Sequence, residues 1–166
     1  MTPIKALETL DVALIILRAK IIALTGLEQD FVLDALSAYG TDLAKVLSEA
    51  QESIKQKALN PTETVNDTLI LLEARNDIDS SDNMFEKQNA YGAYILHVTI
   101  YGESAEEISM KLKAKILLID EKVDLNMKGV QIRSISNIES VNEYKNEVMW
   151  QRRDMDIHFA FRRIYT

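Results

Sequence analysis

The sequence predicts an α+β fold: a four-stranded, largely antiparallel sheet flanked by helices, with an extra helical segment at the N-terminus. Three observations carry this reading. Apolar residues recur at helical spacing through residues 1–58. The pattern changes at Asn60-Pro61, after which short β-branched and aromatic runs take over. One strong helical stretch, 103–122, lies between the two longest of those runs. A chain of 166 residues, 47% of them hydrophobic, is long enough for one domain, 1–166. Its expected parts are a helical segment, 1–58, and an α+β core, 59–166.

The first helix is expected over residues 4–24, where Leu7, Leu10, Leu14, Leu17 and Ile21 make one apolar stripe. Val12, Ile15, Ile16 and Ile22 widen that stripe well past one face. A helix this apolar is covered on more than one side or meets another chain. Thr25-Gly26 ends it, glycine being common just past a helix C-terminus. Phe31, Leu33, Leu36 and Tyr39 predict a short second helix, and Thr41-Asp42 opens a third that runs to about Lys57.

Thr68 to Ala74 is a short apolar run and predicts a strand. Residues 75–90 read as a polar loop. The stretch 60–90 holds seven acidic and two basic residues. Tyr91 to Tyr101 predicts the clearest strand, with Tyr94, Leu96, Val98 and Ile100 on one face. Ser104 and Glu107 have the spacing of a capping box, so a helix starts there. Its buried stripe is expected at Ile108, Leu112, Ile116 and Ile119. Asn126 and Gly129 mark the turn beyond it, and Val130, Ile132 and Ile135 predict a strand with Gln131 and Arg133 facing away. Residues 136–146 read as a polar connection. The final strand alternates: Met155, Ile157, Phe159 and Phe161 face one way, Asp156, His158, Ala160 and Arg162 the other.

Composition excludes several classes of function. With no cysteine, the chain builds no disulfide scaffold, cysteine-ligated zinc site or thiol nucleophile. A net charge of −7 argues against gripping nucleic acid by bulk charge. The most apolar stretch, Val12 to Leu24, is interrupted by Arg18 and Lys20, and no membrane partner is expected. The first residues lack the pattern of a signal peptide.

No strong catalytic motif is present: no phosphate-binding glycine loop, no GxSxG elbow, no HExxH. His97 and His158 sit on expected strands, and two histidines without a third ligand make a poor metal site. Asp77, Asp79 and Asp82 suggest a calcium loop, but the positions needing Gly and Glu hold Asp82 and Gln88. Glu106 and Glu107 suit the first turn of a helix through its dipole. No cofactor and no enzyme activity are expected. Arg152-Arg153 and Arg162-Arg163 bracket the final strand. The plain reading is charge that protects a sheet from edge pairing. The competing one is ion pairing between subunits, with Asp77, Asp79 and Asp82 of one copy meeting Arg152, Arg153, Arg162 and Arg163 of the next.

The order of these elements resembles a known family. Val98-Thr99-Ile100-Tyr101-Gly102 leads into Glu103-Ser104-Ala105-Glu106-Glu107. Val130-Gln131-Ile132-Arg133 follows. Then comes Trp150-Gln151-Arg152-Arg153-Asp154-Met155-Asp156-Ile157-His158-Phe159. Over residues 60–166 this is similar to the neck and tail terminator proteins of tailed bacteriophages, the family of the lambda tail terminator. The resemblance implies structural work without catalytic residues. It implies a homo-oligomer, a hexameric ring at the neck of the virion that caps the tail tube and meets head-completion or connector proteins. DNA passes through such a ring without specific binding, and the ring is assembled in the host cytoplasm. The long helical N-terminus departs from the family pattern. Alternatives are another connector, tube or baseplate component, or a cytoplasmic α+β domain that binds a small ligand or regulates a partner.

Overall fold

The computed structural model describes residues 10–34, 52, 68–76, 91–145 and 148–162. Helix α1 (Leu10–Thr25) is followed by a 3-10 turn (Gln29–Phe31) and strand β1 (Val32–Asp34). Strands β2 (Leu69–Asn76) and β3 (Tyr91–Tyr101) precede helices α2 (Ala105–Ile116) and α3 (Ile119–Met127). Strands β4 (Val130–Ile135), β5 (Glu139–Lys145) and β6 (Val148–Arg162) complete the chain. The fold is α+β, as expected, but the sheet has six strands rather than four.

The two extra strands come from segments whose sequences carry no strand pattern. Val32–Asp34 was expected in a helix from Phe31 to Tyr39; it pairs in parallel with β2, Val32 opposite Ile70. Glu139–Lys145 was expected in a polar connection; it pairs antiparallel with the first half of β6. Tertiary pairing supplies the hydrogen bonds that three residues of Val-Leu-Asp cannot secure alone. The helix expected from Thr41 to Lys57 lies outside the described residues, apart from Glu52.

Strands run β1-β2-β3-β6-β4, all antiparallel except β1 with β2. β4 and β5 share one side of β6: β4 pairs with Ile157–Phe161 and β5 with Val148–Asp154. Between them the chain turns at Ser136, whose N–H donates to Asp156 O (2.9 Å) and whose Oγ accepts from Asp156 N (2.8 Å). The pairing of β4 shifts register between Ile132 and Ser134, a bulge that leaves both Arg133 and Ser134 exposed.

One sheet face carries the core. Ile70 and Leu72, Leu96, Val98 and Ile100, Met155, Ile157, Phe159 and Phe161, and Val130 and Ile132 are all buried in one cluster with α1, α2 and Leu125 of α3. The expected alternation of β6 therefore holds on its core side. Each such side chain contributes about 1.5–3 kcal/mol by leaving water. From α1 come Ala13, Leu14, Leu17, Ile21 and Leu24. Gly26, at φ 74°, ends that helix as expected and donates its N–H to Ile22 O. Gly129, at φ 97°, turns the chain from α3 into β4.

The helix expected to run unbroken from 103 to 122 is two helices. Leu118 is extended (φ −62°, ψ 142°) and caps α3. The break turns Ile119 out to 78% exposure and Leu125 fully in. It also brings Glu121 and Asp124 to Lys20 of α1, at 2.6 and 2.5 Å. Ser104 is the N-cap of α2, but its side chain makes no cap hydrogen bond, so the expected capping box is not formed.

Candidate functional site

The opposite face of the sheet gathers charge. Register places Tyr101 beside Arg152, Thr99 beside Asp154, and His97 beside Asp156. Across the other edge of β6, Val141 lies opposite Arg152 and Glu139 opposite Asp154. Side chains two residues apart on a strand share a face, so Arg152, Asp154 and Asp156 line up in a row. His97 and Tyr101 flank that row from β3, and Glu143 flanks it from β5.

The row is one hydrogen-bonded chain. Arg152 donates to both oxygens of Asp154, Nε to Oδ1 and an NH2 to Oδ2, each at 2.8 Å. Its NH1 donates to Glu143 Oε2 at 2.7 Å, and Tyr101 OH donates to the same oxygen at 3.2 Å. The guanidinium lies 5.6 Å from the Tyr101 ring centroid. His97 faces a carboxylate at each ring nitrogen, Nδ1 to Asp156 Oδ1 at 2.6 Å and Nε2 to Asp154 Oδ2 at 3.4 Å.

Electrostatics follow from this geometry. The hydrogen bond with Asp154 raises His97 most; burial opposes it, and Asp156 adds to it. Asp156 is the nearer carboxylate, but Asp154 is the more buried and so is less screened by water. Burial pushes Asp154 upward, yet hydrogen bonds from His97 and Arg152 outweigh it and hold its carboxyl down at about 2. Hydrogen bonding to Asp154 raises Arg152 against the cost of burial. Burial pushes the Tyr101 hydroxyl up to about 12.

These shifts predict a stability maximum in mild acid. His97, raised above 6.5 in the folded chain, stabilises fully below 6.5 and loses that contribution as pH rises through its folded value. Asp154, lowered from 3.8 to about 2, stabilises fully above 3.8 and loses it as pH falls toward 2. Melting temperature should therefore be highest between about 3.8 and 6.5 and fall on both sides. His97→Gln should abolish the alkaline decline and move the acid one upward, because Asp154 loses its hydrogen bond with His97. Identical alkaline slopes in both chains would refute the role given to His97.

The arginines expected to meet a neighbour are placed differently. Arg152 is engaged within its own chain, with 24% of its side chain exposed. Arg153 points to the core side, where its NH1 donates to Arg152 O and its NH2 lies 3.9 Å from Glu106. Arg162 stands at the far end of β6, opposite Tyr91. Arg163, Asp77, Asp79 and Asp82 lie outside the described residues. β3 and β6 do pair, but His158 faces Ile95, two rungs from the His97–Asp156 pair. Among the described residues no group of three or more His, Cys, Asp or Glu is disposed to hold a metal ion. No described helix is long and apolar enough to cross a membrane.

The Arg152–Asp154–His97 network was missed from sequence because it needs the register of three strands. Its only trace is the Arg-x-Asp-x-Asp… spacing of 152, 154 and 156, which is the spacing of one strand face. Such a network ties β3, β5 and β6 together.

Comparison with curated proteins finds no matching relative. Residues 31–166, which take in the whole sheet and the helices α2 and α3, match the phage neck terminator protein family. The chain therefore belongs to the phage neck terminator family, a family of structural proteins of the bacteriophage neck and tail.

Proposed function

We propose that this chain forms a ring, sixfold in symmetry, that ends the tail tube of a phage and joins it to the head. The family match over residues 31–166 carries this reading. The ring assembles in the host cytoplasm on the tail tube, contacts a head-completion or connector protein, and lets DNA pass. A net charge of −7 suits a passage that must not hold phosphates. The role is mechanical rather than catalytic.

The proposed contact between copies sets the cations at the end of β6 against the acidic stretch containing Asp77, Asp79 and Asp82. Arg152 and Arg153 lie ten residues back along β6 and are engaged within their own chain. Arg162 and Arg163 are thus the cleaner test. The wild-type chain should reach about 113 kDa, six times 18.9 kDa, by light scattering after size exclusion, alone or on added tail tubes. Arg162→Glu with Arg163→Glu should lose that species and keep the wild-type circular dichroism. A variant with the wild-type mass would overturn this contact. A wild-type chain that stays at 18.9 kDa and ignores tail tubes would overturn the ring.

A further inference from the structure

We infer that the exposed apolar stripe of α3, with the groove between α3 and β4, docks a second copy of this chain in a head-to-tail contact. Eight of the nine large apolar residues exposed among the described ones lie on the helices or the α2–α3 link; the ninth is Val141. Five of the eight run consecutively through one corner: Leu118, then Ile119, Val123 and Met127 at helical spacing, with Leu117 beside them. Ile119, Val123 and Met127 are 78%, 51% and 68% exposed. They recur every four residues and so form a single stripe. Beside it lies a groove lined by Ile119, Lys122, Val123, Asn126, Gln131 and Ile132. An apolar stripe of this kind, rimmed by polar groups, marks a contact surface.

Charge names the occupant. Residues 108–133 hold six basic and three acidic residues, in a chain whose net charge is −7. Two of those three acids, Glu121 and Asp124, already pair inside the chain, both with Lys20 and Asp124 also with Lys128. The corner is therefore an apolar stripe with a cationic rim, and the rest of the chain carries the entire negative excess. A second copy offers the matching acidic surface. Two such corners facing each other would bring cation against cation. The contact is thus not the same patch on both copies, but the heterologous kind that closes rings or extends filaments.

This inference rests on the self-assembly proposed above. The test uses two variants at exposed positions, where a substitution leaves folding intact. The first is Ile119→Glu with Val123→Glu, followed by light scattering across concentration, with and without tail tubes. The second is Val123→Cys, a unique thiol in a cysteine-free chain, carrying a benzophenone crosslinker. The expected results are a wild-type species of three or more copies, a monomeric glutamate variant with unchanged melting, and a crosslink to a second copy. A glutamate variant with the wild-type mass overturns the docking surface and leaves the ring standing. A crosslink only to tube protein, or a discrete dimer, also overturns it. A wild-type chain that is monomeric under both conditions fails the ring reading, and this inference with it.

Discussion

Phe159→Ala should cost about 4 kcal/mol of stability, the largest loss expected from any single truncation. Phe159 is completely buried and stands on β6, the strand that pairs with β3, β4 and β5. It lies opposite Tyr94 on one side and Ile132 on the other, and its ring stacks on Tyr94 with centroids 6.1 Å apart. Alanine would leave a cavity with sheet on both flanks and helices above, where the backbone cannot collapse. For a chain of this length the loss corresponds to about 10 °C in melting temperature. Phe159→Leu keeps most of the volume and should cost less than half as much. A loss below about 1 kcal/mol for the alanine variant would contradict the packing of the sheet against its helices.

Arg152→Ala should cost about 2–3 kcal/mol, for a different reason. The guanidinium is the only cation that bonds both Asp154 and Glu143 in the described network. Removing it leaves the mostly buried Asp154 carboxylate with His97 alone, and leaves Glu143 with Tyr101. The penalty is chiefly an uncompensated charge rather than a lost attraction. It falls below that of a fully buried pair because 24% of the Arg152 side chain meets water. Arg152→Lys should recover only part, since an ammonium cannot bond both Asp154 oxygens and Glu143 in the same fork. The acid limb of the pH profile should move up toward 3.8 as Asp154 loses a partner. Urea unfolding of both variants checks this, and a loss under about 0.5 kcal/mol for alanine would mean that the network is merely superficial.

A charge reversal at Arg152 would thus damage the subunit before it reported on any neighbour. This separates Arg152 from Arg162 as probes of assembly. In sequence the two are alike, each an arginine beside another arginine at one end of a strand.

The legible parts were those with a strong local period. β6 alternates because one face is buried, and Met155, Ile157, Phe159 and Phe161 announce it. Tyr91–Tyr101 is rich in residues that suit a pleated surface. α1 showed its inward stripe and also its surplus: Ile15 is 66% exposed. The illegible parts had no period of their own. Glu139–Lys145 pairs with the first half of β6, and Glu139 to Asn142 are all exposed, so its sequence reads as a connection. Val32–Asp34 is too short for any pattern to emerge.

By itself the sequence determined that this is an acidic α+β chain without cysteine chemistry, with two long strands around a helical stretch and a neck-terminator order of elements. Those properties depend on composition and on neighbours a few residues apart, which the chain carries wherever it goes. Only the tertiary structure decided that Arg152 is spent inside the subunit, that His97 sits between two carboxylates, and that Ile119 points outward. Each of these depends on strand register or on a helix break, and so on contacts such as His97 with Asp156, 59 positions apart, and Lys20 with Asp124, 104 apart.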